Sequence, residues 1–363
     1  MPPHPHRPPE LDRQVFRGSD AIRRGLLSRH HLRGASWVRL RQDVYADARL
    51  DRDHALACRA ALLRMPPGTV IAGPSAAYLH GVTHAAEFTD DVHVLVPAAV
   101  RADSQPGVRV HQAPLAGARA GLLVPAGAGA SDAAGSSRVG GPFPADRPPG
   151  APGRSRPPAP TRPSVVATPR PRIPAGASDP GGPPNPGGPP PCTDPAACAW
   201  ETAVWADPVR AVAIIDTLLG TGAVSRSTLA TEAARNACRP GARRASWVFG
   251  LADGLAQSPR ESHLRVRLMF AGLPRPMAQH PVRVSAGLVL HPGLAWPQYR
   301  VAVEYDDERR ADPERTHLDR RRLDQLARAG WLVLHIADRR LRKEFPALVR
   351  EIRSTLVARG WRP

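Results

Sequence analysis

Apolar positions recur along this chain with two periods, and the switches between them divide it into segments. From residue 11 to residue 114, helix-like and strand-like runs alternate. Ser19-Asp-Ala-Ile-Arg-Arg-Gly25 predicts a short helix closed by glycine, and Ser28 stands where it would cap a second one, Arg29-His-His-Leu-Arg33. Trp37-Val-Arg-Leu-Arg-Gln-Asp-Val-Tyr45 alternates as a two-strand wing would. Asp207-Pro208 predicts an N-cap and a first-turn proline. Val209, Val212 and Ala213 follow at helical spacing, and Gly220 stands at the expected C-terminal cap. Ser258-Pro-Arg-Glu261 reads as a capping box opening a helix with Leu264, Leu268 and Ala271 on one face. Val282-Arg-Val, a turn at Ser285-Ala-Gly287 and Leu288-Val-Leu predict a hairpin. Arg300-Val-Ala-Val-Glu-Tyr-Asp306 alternates as a strand, with Val301, Val303 and Tyr305 on one side and Arg300, Ala302, Glu304 and Asp306 on the other. A helix is expected from Glu314 to Ala329 and a buried strand in Trp331-Leu-Val-Leu-His-Ile336. One last helix would carry Leu341, Phe345, Leu348, Ile352 and Leu356 on one face.

The periodicity is lost in residues 116–191, which end in Gly181-Gly-Pro-Pro-Asn-Pro-Gly-Gly-Pro-Pro-Pro191. Large apolar groups are too sparse there to offset the entropy of ordering, so the stretch reads as a disordered Pro/Gly/Arg-rich linker. The chain thus divides into 11–114, a linker at 115–195, a helical connecting region at 196–257 and a C-terminal domain at 258–358. The fold class is α/β in the α+β sense.

Charge narrows the partners. Fifty Lys and Arg against 32 Asp and Glu leave a net charge of +18, and Lys343 is the single lysine. Arginine pairs bidentately with phosphate, so a polyanion is the expected partner, DNA ahead of a membrane surface. The four cysteines form no CxxC pair, which argues against a structural zinc site or a disulfide framework. No apolar run approaches the ~20 residues of a membrane span, and the first residues lack a signal-peptide core. The expectation is a cytoplasmic protein.

Two groups of residues could carry chemistry. In the first, Arg29 and Arg33 on the second short helix would enter the major groove, with Arg39 and Arg41 on the wing touching phosphate. The plain alternative is a solvated arginine surface. In the second, Glu304 and Asp306, two strand residues apart and so roughly 7 Å along one face, could share a weakly held Mg²⁺. The alternative is the polar side of a solvent-facing strand. Glu261 serves either as a helix cap or as a third carboxylate beside that pair. Asp319-Arg-Arg-Arg322 gives the following helix a basic face, with Arg320, Arg321 and Arg322 as further phosphate contacts.

Two resemblances sharpen these expectations. Leu26-Leu-Ser-Arg-His-His-Leu32, Asp43-Val-Tyr45 and Gly73-Pro-Ser-Ala-Ala-Tyr-Leu-His-Gly81 resemble the AbiEi-type antitoxin N-terminal domain, which implies a DNA-binding winged helix over residues 11–97. Ser258-Pro-Arg-Glu-Ser, Leu294-Ala-Trp-Pro297, Val301-Ala-Val-Glu-Tyr-Asp306, Asp319-Arg-Arg-Arg-Leu323 and Ala329-Gly-Trp-Leu-Val-Leu334 resemble an actinobacterial domain-of-unknown-function family related to the very-short-patch-repair (Vsr) endonuclease. That second resemblance implies a PD-(D/E)XK, restriction-endonuclease-like domain, with Glu261, Glu304 and Asp306 as catalytic residues and Glu304 and Asp306 as metal ligands. Where the family places a metal-binding Asp, this chain has Gly293. Where it places a Gly and, three residues on, a His, the chain has Asp307 and Arg310. The implied function is a DNA-binding protein with a degenerate or weakly active Mg²⁺-dependent endonuclease site. The competing expectation is a non-enzymatic transcriptional regulator or antitoxin, with a toxin or a second copy as partner.

Overall fold

The computed structural model describes residues 6–98, 100–113, 120–121, 188–285, 287–306 and 313–363. All belong to one compact unit (Met1–Leu123 with Pro180–Pro363); a second unit, Val124–Asp179, lies outside the described residues. The architecture is mixed α and β. Among the described residues no helix is long and apolar enough to cross a membrane.

Strand β1 (Val15–Arg17), helix α1 (Gly18–Arg23) and strands β2 (Trp37–Arg41) and β3 (Val44–Asp47) open the chain, the strands pairing antiparallel in the order β1-β3-β2. The β2–β3 hairpin falls where the wing is expected. Its turn uses Asp43 at φ 59°, whose carboxylate accepts from the Ser19 amide (2.8 Å) and hydroxyl (2.6 Å). The expected second helix does not form. Residues 29–33 make a turn and a single 3-10 turn, His31–Arg33. Five residues are too few to offset helix nucleation. Ser28 and His31 satisfy each other instead, the Ser28 amide donating to His31 Nδ1 and the His31 amide to Ser28 Oγ, both at 3.2 Å.

A second sheet follows from α2 (His54–Leu62), β4 (Val70–Ile71), α3 (Gly73–Leu79), β5 (Val92–Pro97), β6 (Val108–Ala113), β7 (Ala120–Gly121) and β8 (Cys192–Thr193), in the strand order β6-β5-β4-β8-β7. Strand β8 comes from the segment expected as linker. Ile71 pairs with Cys192, and its amide donates to the Pro191 carbonyl at 2.8 Å. Residues 114–119 and 122–187, the body of the linker expectation, lie outside the described residues.

Helices α4 (Pro195–Trp205), α5 (Pro208–Gly220), α6 (Arg226–Arg235) and α7 (Ala242–Leu251) come next. Asp194 caps α4 and Asp207 caps α5 through their side-chain oxygens, each with proline in the first turn as predicted for α5. Helix α5 runs through Gly220, and the left-handed residue is Gly222, at φ 75°. Ala199, Ile214, Leu218 and Val248 from these helices share one buried cluster with Ile71, Val94 and Cys192. Residues 196–257, expected as a connector, are therefore the wall that closes the second sheet's core.

Helix α8 (Pro259–Phe270) starts as its capping box predicts, with Ser258 Oγ accepting from the Glu261 amide at 3.2 Å. Strand β9 (Met277–Ala278), the separate two-stranded hairpin β10 (Val282–Ser285) and β11 (Leu288–Leu290), β12 (Leu294–Trp296), β13 (Val301–Asp306), α9 (Pro313–Arg328) and β14 (Leu332–Ala337) follow, and β9, β12, β13 and β14 form a four-stranded sheet in the order β14-β13-β12-β9. Strand β12 runs antiparallel to both neighbours, whereas β13 and β14 are parallel. Arg300 is not in β13, because it takes the left-handed conformation at φ 50°. The single last helix becomes two, α10 (Asp338–Lys343) and α11 (Phe345–Ala358), broken at Glu344. Pro346 in the first turn of α11 has no amide to bond the Arg342 carbonyl four residues back, so the ladder of α10 cannot run on through it.

Helix α8 serves two cores. Val266 joins the cluster of the second sheet. Leu264 and Leu268 join the C-terminal cluster, with Leu294, Trp296, Val301 and Val303 from the sheet and Leu348, Ile352 and Leu356 from α11. Arg265, on the same helix and fully buried, fixes α8 to α5. It donates to Asp216 Oδ2 (2.7 Å) and the Leu251 carbonyl (2.5 Å) and pairs with Asp253 at 3.1 Å.

Candidate functional site

The two ladders around β12 line up a row of residues. Leu294 stands opposite Val303 on one side and Ala278 on the other. One residue further back, the same registers set Gly293 opposite Glu304 and Gln279, and the Gln279 amide donates to the Gly293 carbonyl at 3.2 Å. Glu304 in turn stands opposite His335 on β14. Glu304 and His335 are paired across β13 and β14 and share a face, and Gly293 and Gln279 continue the line one residue past the ends of β12 and β9.

Glu261 reaches this line from the first turn of α8. A Cβ built on Gly293 would lie 3.7 Å from the Glu261 carboxyl carbon and 3.5 Å from the Val303 carbonyl oxygen, both ordinary contacts. A side chain therefore fits at Gly293 and would meet Glu261, while the Gly293 amide donates to Glu304 Oε2 at 3.5 Å. The Glu261 carboxylate accepts from the Gln257 amide (3.1 Å), Gln279 Nε2 (3.1 Å) and Ser258 Oγ (3.4 Å). Glu261 thus takes hydrogen bonds from the residues that open α8 and also stands beside Gly293.

Burial raises the Glu304 carboxyl above its ordinary value; the Arg322 guanidinium draws it back down, while Glu261 adds to the rise. Burial also raises Glu261, against the hydrogen bonds from Gln257, Gln279 and Ser258. Arg322 Nη2 sits 3.1 Å from Glu304 Oε1, but its N–H is aimed at the His291 carbonyl. Glu304 Oε1 is left with a cation beside it and no hydrogen bond.

Mg²⁺ asks for near-octahedral oxygen ligands. The described residues do not fit that demand as they stand. Arginine already neutralises Glu304, amide and hydroxyl donors occupy Glu261, and among the described residues no group of three His, Cys, Asp or Glu side chains could hold a metal. Asp306 ends β13 with its backbone opposite Ala337, and its side chain lies outside the described residues.

The expected DNA contacts fare differently from one another. Arg29, Arg33 and Arg39 are exposed. Arg41 donates to the carbonyls of Pro106 (2.9 Å) and Gly107 (2.8 Å), tying the wing to the loop before β6. On α9, Arg321 is exposed, Arg322 is turned into the acid row, and the Arg320 side chain lies outside the described residues. Sequence reasoning named Arg322 as a phosphate contact rather than as a partner of Glu304, and it missed Gln279 and the His291 carbonyl. The β9–β12 ladder could have found Gln279, but Arg322 and the His291 carbonyl meet only through the path of α9.

A second polar cluster lies in the other sheet. His111 stacks on Trp205 (centroids 3.5 Å apart, 6° between planes), and His93 Nδ1 lies 3.1 Å from His111 Nε2. Burial pushes both imidazoles down to about 4. Nearby, Glu201 accepts from the Gly73 amide and Thr193 Oγ1, both at 2.8 Å, and burial pushes its carboxyl up to about 8.

No family model matches the chain, and no solved structure matches it. Over 136 residues, 37% of this chain, it is 33% identical to two uncharacterized proteins of Mycobacterium tuberculosis, MT2308 and Rv2248. The match takes in 50% of each relative, so the chain spans about half the length of the curated relatives it matches.

Proposed function

We propose that the chain is a DNA-binding protein whose C-terminal region is a Vsr-like, restriction-endonuclease-type module with a degenerate acid site, following an AbiEi-like winged-helix region. The run α8, β9, β12, β13, α9, β14, α11, with the hairpin β10–β11 inserted, supports the nuclease-like reading. The net charge of +18 supports a polyanionic partner.

The observation that carries the proposal is Gly293. It stands opposite Glu304 and against Glu261, where a third carboxylate would complete a hard-oxygen site. Arg322 beside Glu304 favours the second reading, a non-enzymatic regulator or antitoxin in which the same module only docks on DNA.

A plasmid-nicking assay with Mg²⁺ and Mn²⁺ separates the readings from an active nuclease. The wild type is expected to leave plasmid intact, and Gly293→Asp to gain Mn²⁺ affinity in a direct titration. Robust wild-type cleavage abolished by Glu304→Ala would overturn the degenerate assignment.

A further inference from the structure

Two aromatic rings stand apart from the buried clusters of this protein. Trp247 on α7 and Phe270 at the end of α8 stack nearly parallel, with centroids 5.6 Å apart and 9° between planes. They remain 47% and 49% exposed, and neither belongs to a buried cluster among the described residues. Single exposed apolar residues are ordinary, but two rings held against each other in water form a contiguous surface that leaves apolar area unburied.

The elements that carry the rings are basic. Residues 233–252 and 262–303 contain no Asp or Glu. Arg243, four residues before Trp247 and so on the same face of α7, is exposed. Arg275, also exposed, donates to the Gly250 carbonyl at 2.8 Å and the Leu251 carbonyl at 3.2 Å, which seats its charge at the last turn of α7. Flat rings flanked by guanidinium groups suit a ligand that alternates flat bases with phosphates.

We propose that Trp247 and Phe270 are a stacking platform for unpaired nucleobases, with Arg243 and Arg275 holding the phosphates of a single strand. The class of ligand rests on the nucleic-acid reading above, but the residues are separate from the acid row. The platform therefore adds a single-strand site to a protein read as binding duplex DNA.

The test titrates the full chain with an oligothymidylate of about 16 nucleotides and, in parallel, with a mixed-sequence duplex, following tryptophan fluorescence and anisotropy. The oligothymidylate is expected to quench fluorescence in the wild type. Trp247→Ala and Phe270→Ala should each weaken its binding by about tenfold, the effect of losing one stacked base, while duplex affinity stays within about twofold. Arg243→Ala should lower the slope of log affinity against log salt by about 0.7. Circular dichroism melting of each variant confirms that these exposed substitutions leave the fold intact. Duplex binding without single-strand binding overturns the platform and spares the DNA reading, whereas binding of neither overturns both. Single-strand binding that Trp247→Ala leaves unchanged also overturns the platform. If the chain self-associates and Trp247→Ala alone makes it monomeric, the rings are an interface between copies and the proposal falls.

Discussion

Replacing Arg265 with methionine tests what holds the site-bearing helix in place. The arginine side chain is 0% exposed, and its partners Asp216 and Asp253 are 1% and 14% exposed. Methionine keeps much of the stem's volume, so the loss is mainly the cation. Asp216 would still accept from Ser262 Oγ (2.7 Å) and from the amides of Asp253 (2.7 Å) and Gly254 (3.0 Å). Removing one partner of a buried pair costs about 3–5 kcal/mol. The three surviving donors put this case at the low end, about 3 kcal/mol. That corresponds to a fall in melting temperature of roughly 5 °C for a unit of about 300 residues. Calorimetry of the wild type, Arg265→Met, Asp216→Asn and the double variant reads the effect. The double variant should lose less than the sum of the singles, because neither is left with an uncompensated charge. An Arg265→Met protein melting within about 2 °C of the wild type would refute the assignment of Arg265 as the tie between α5 and α8.

Two further expectations concern pH. His93 and His111 are held near 4 against an ordinary 6.5, so the fold favours their neutral forms. Their contribution is complete above pH 6.5 and is lost as pH falls toward 4, and urea midpoints across that window should fall less steeply in His111→Gln. Glu201, raised from 4.5 to about 8, is favoured protonated, so its contribution is complete below pH 4.5 and is lost as pH rises through 8. Glu201→Gln keeps an acceptor for Gly73 and Thr193 and should melt above the wild type at about pH 9, with the two converging at about pH 5; equal melting at both pH values would count against the burial argument.

Local chemistry was readable in the sequence, whereas partnership across strands was not. Ser258 and Asp207 cap their helices because a side-chain oxygen followed by proline acts within one turn, and no distant residue is needed. Val301, Val303 and Tyr305 face the C-terminal core as their alternation implies. By contrast, Arg322 meets Glu304 only because α9, which joins β13 to β14, brings it back beside the sheet, and Gln279 meets Glu261 only through the β9–β12 ladder; the place of Gly293 among the acids was implied by the resemblance, not by any local pattern. The helix expected at 29–33 failed for a different reason: its length is below what nucleation tolerates, and Ser28 offers a local turn instead. The two residues of β8 are too short to show a period at all, and their membership of the sheet is set by Ile71, far earlier in the chain.

The pairing of Ile71 with Cys192 also has a consequence for how the protein is made. Strand β4 leaves the ribosome long before the strand that will lie beside it. At ordinary synthesis speeds of about 5–20 residues per second, the delay is roughly six seconds or more. During that interval one edge of β4, with Ile71 destined to be fully buried, has no neighbour on the nascent chain. The N-terminal half of this protein thus depends on its own later translation to complete its sheet, and a ribosome stalled before Cys192 would release an open edge rather than a finished domain.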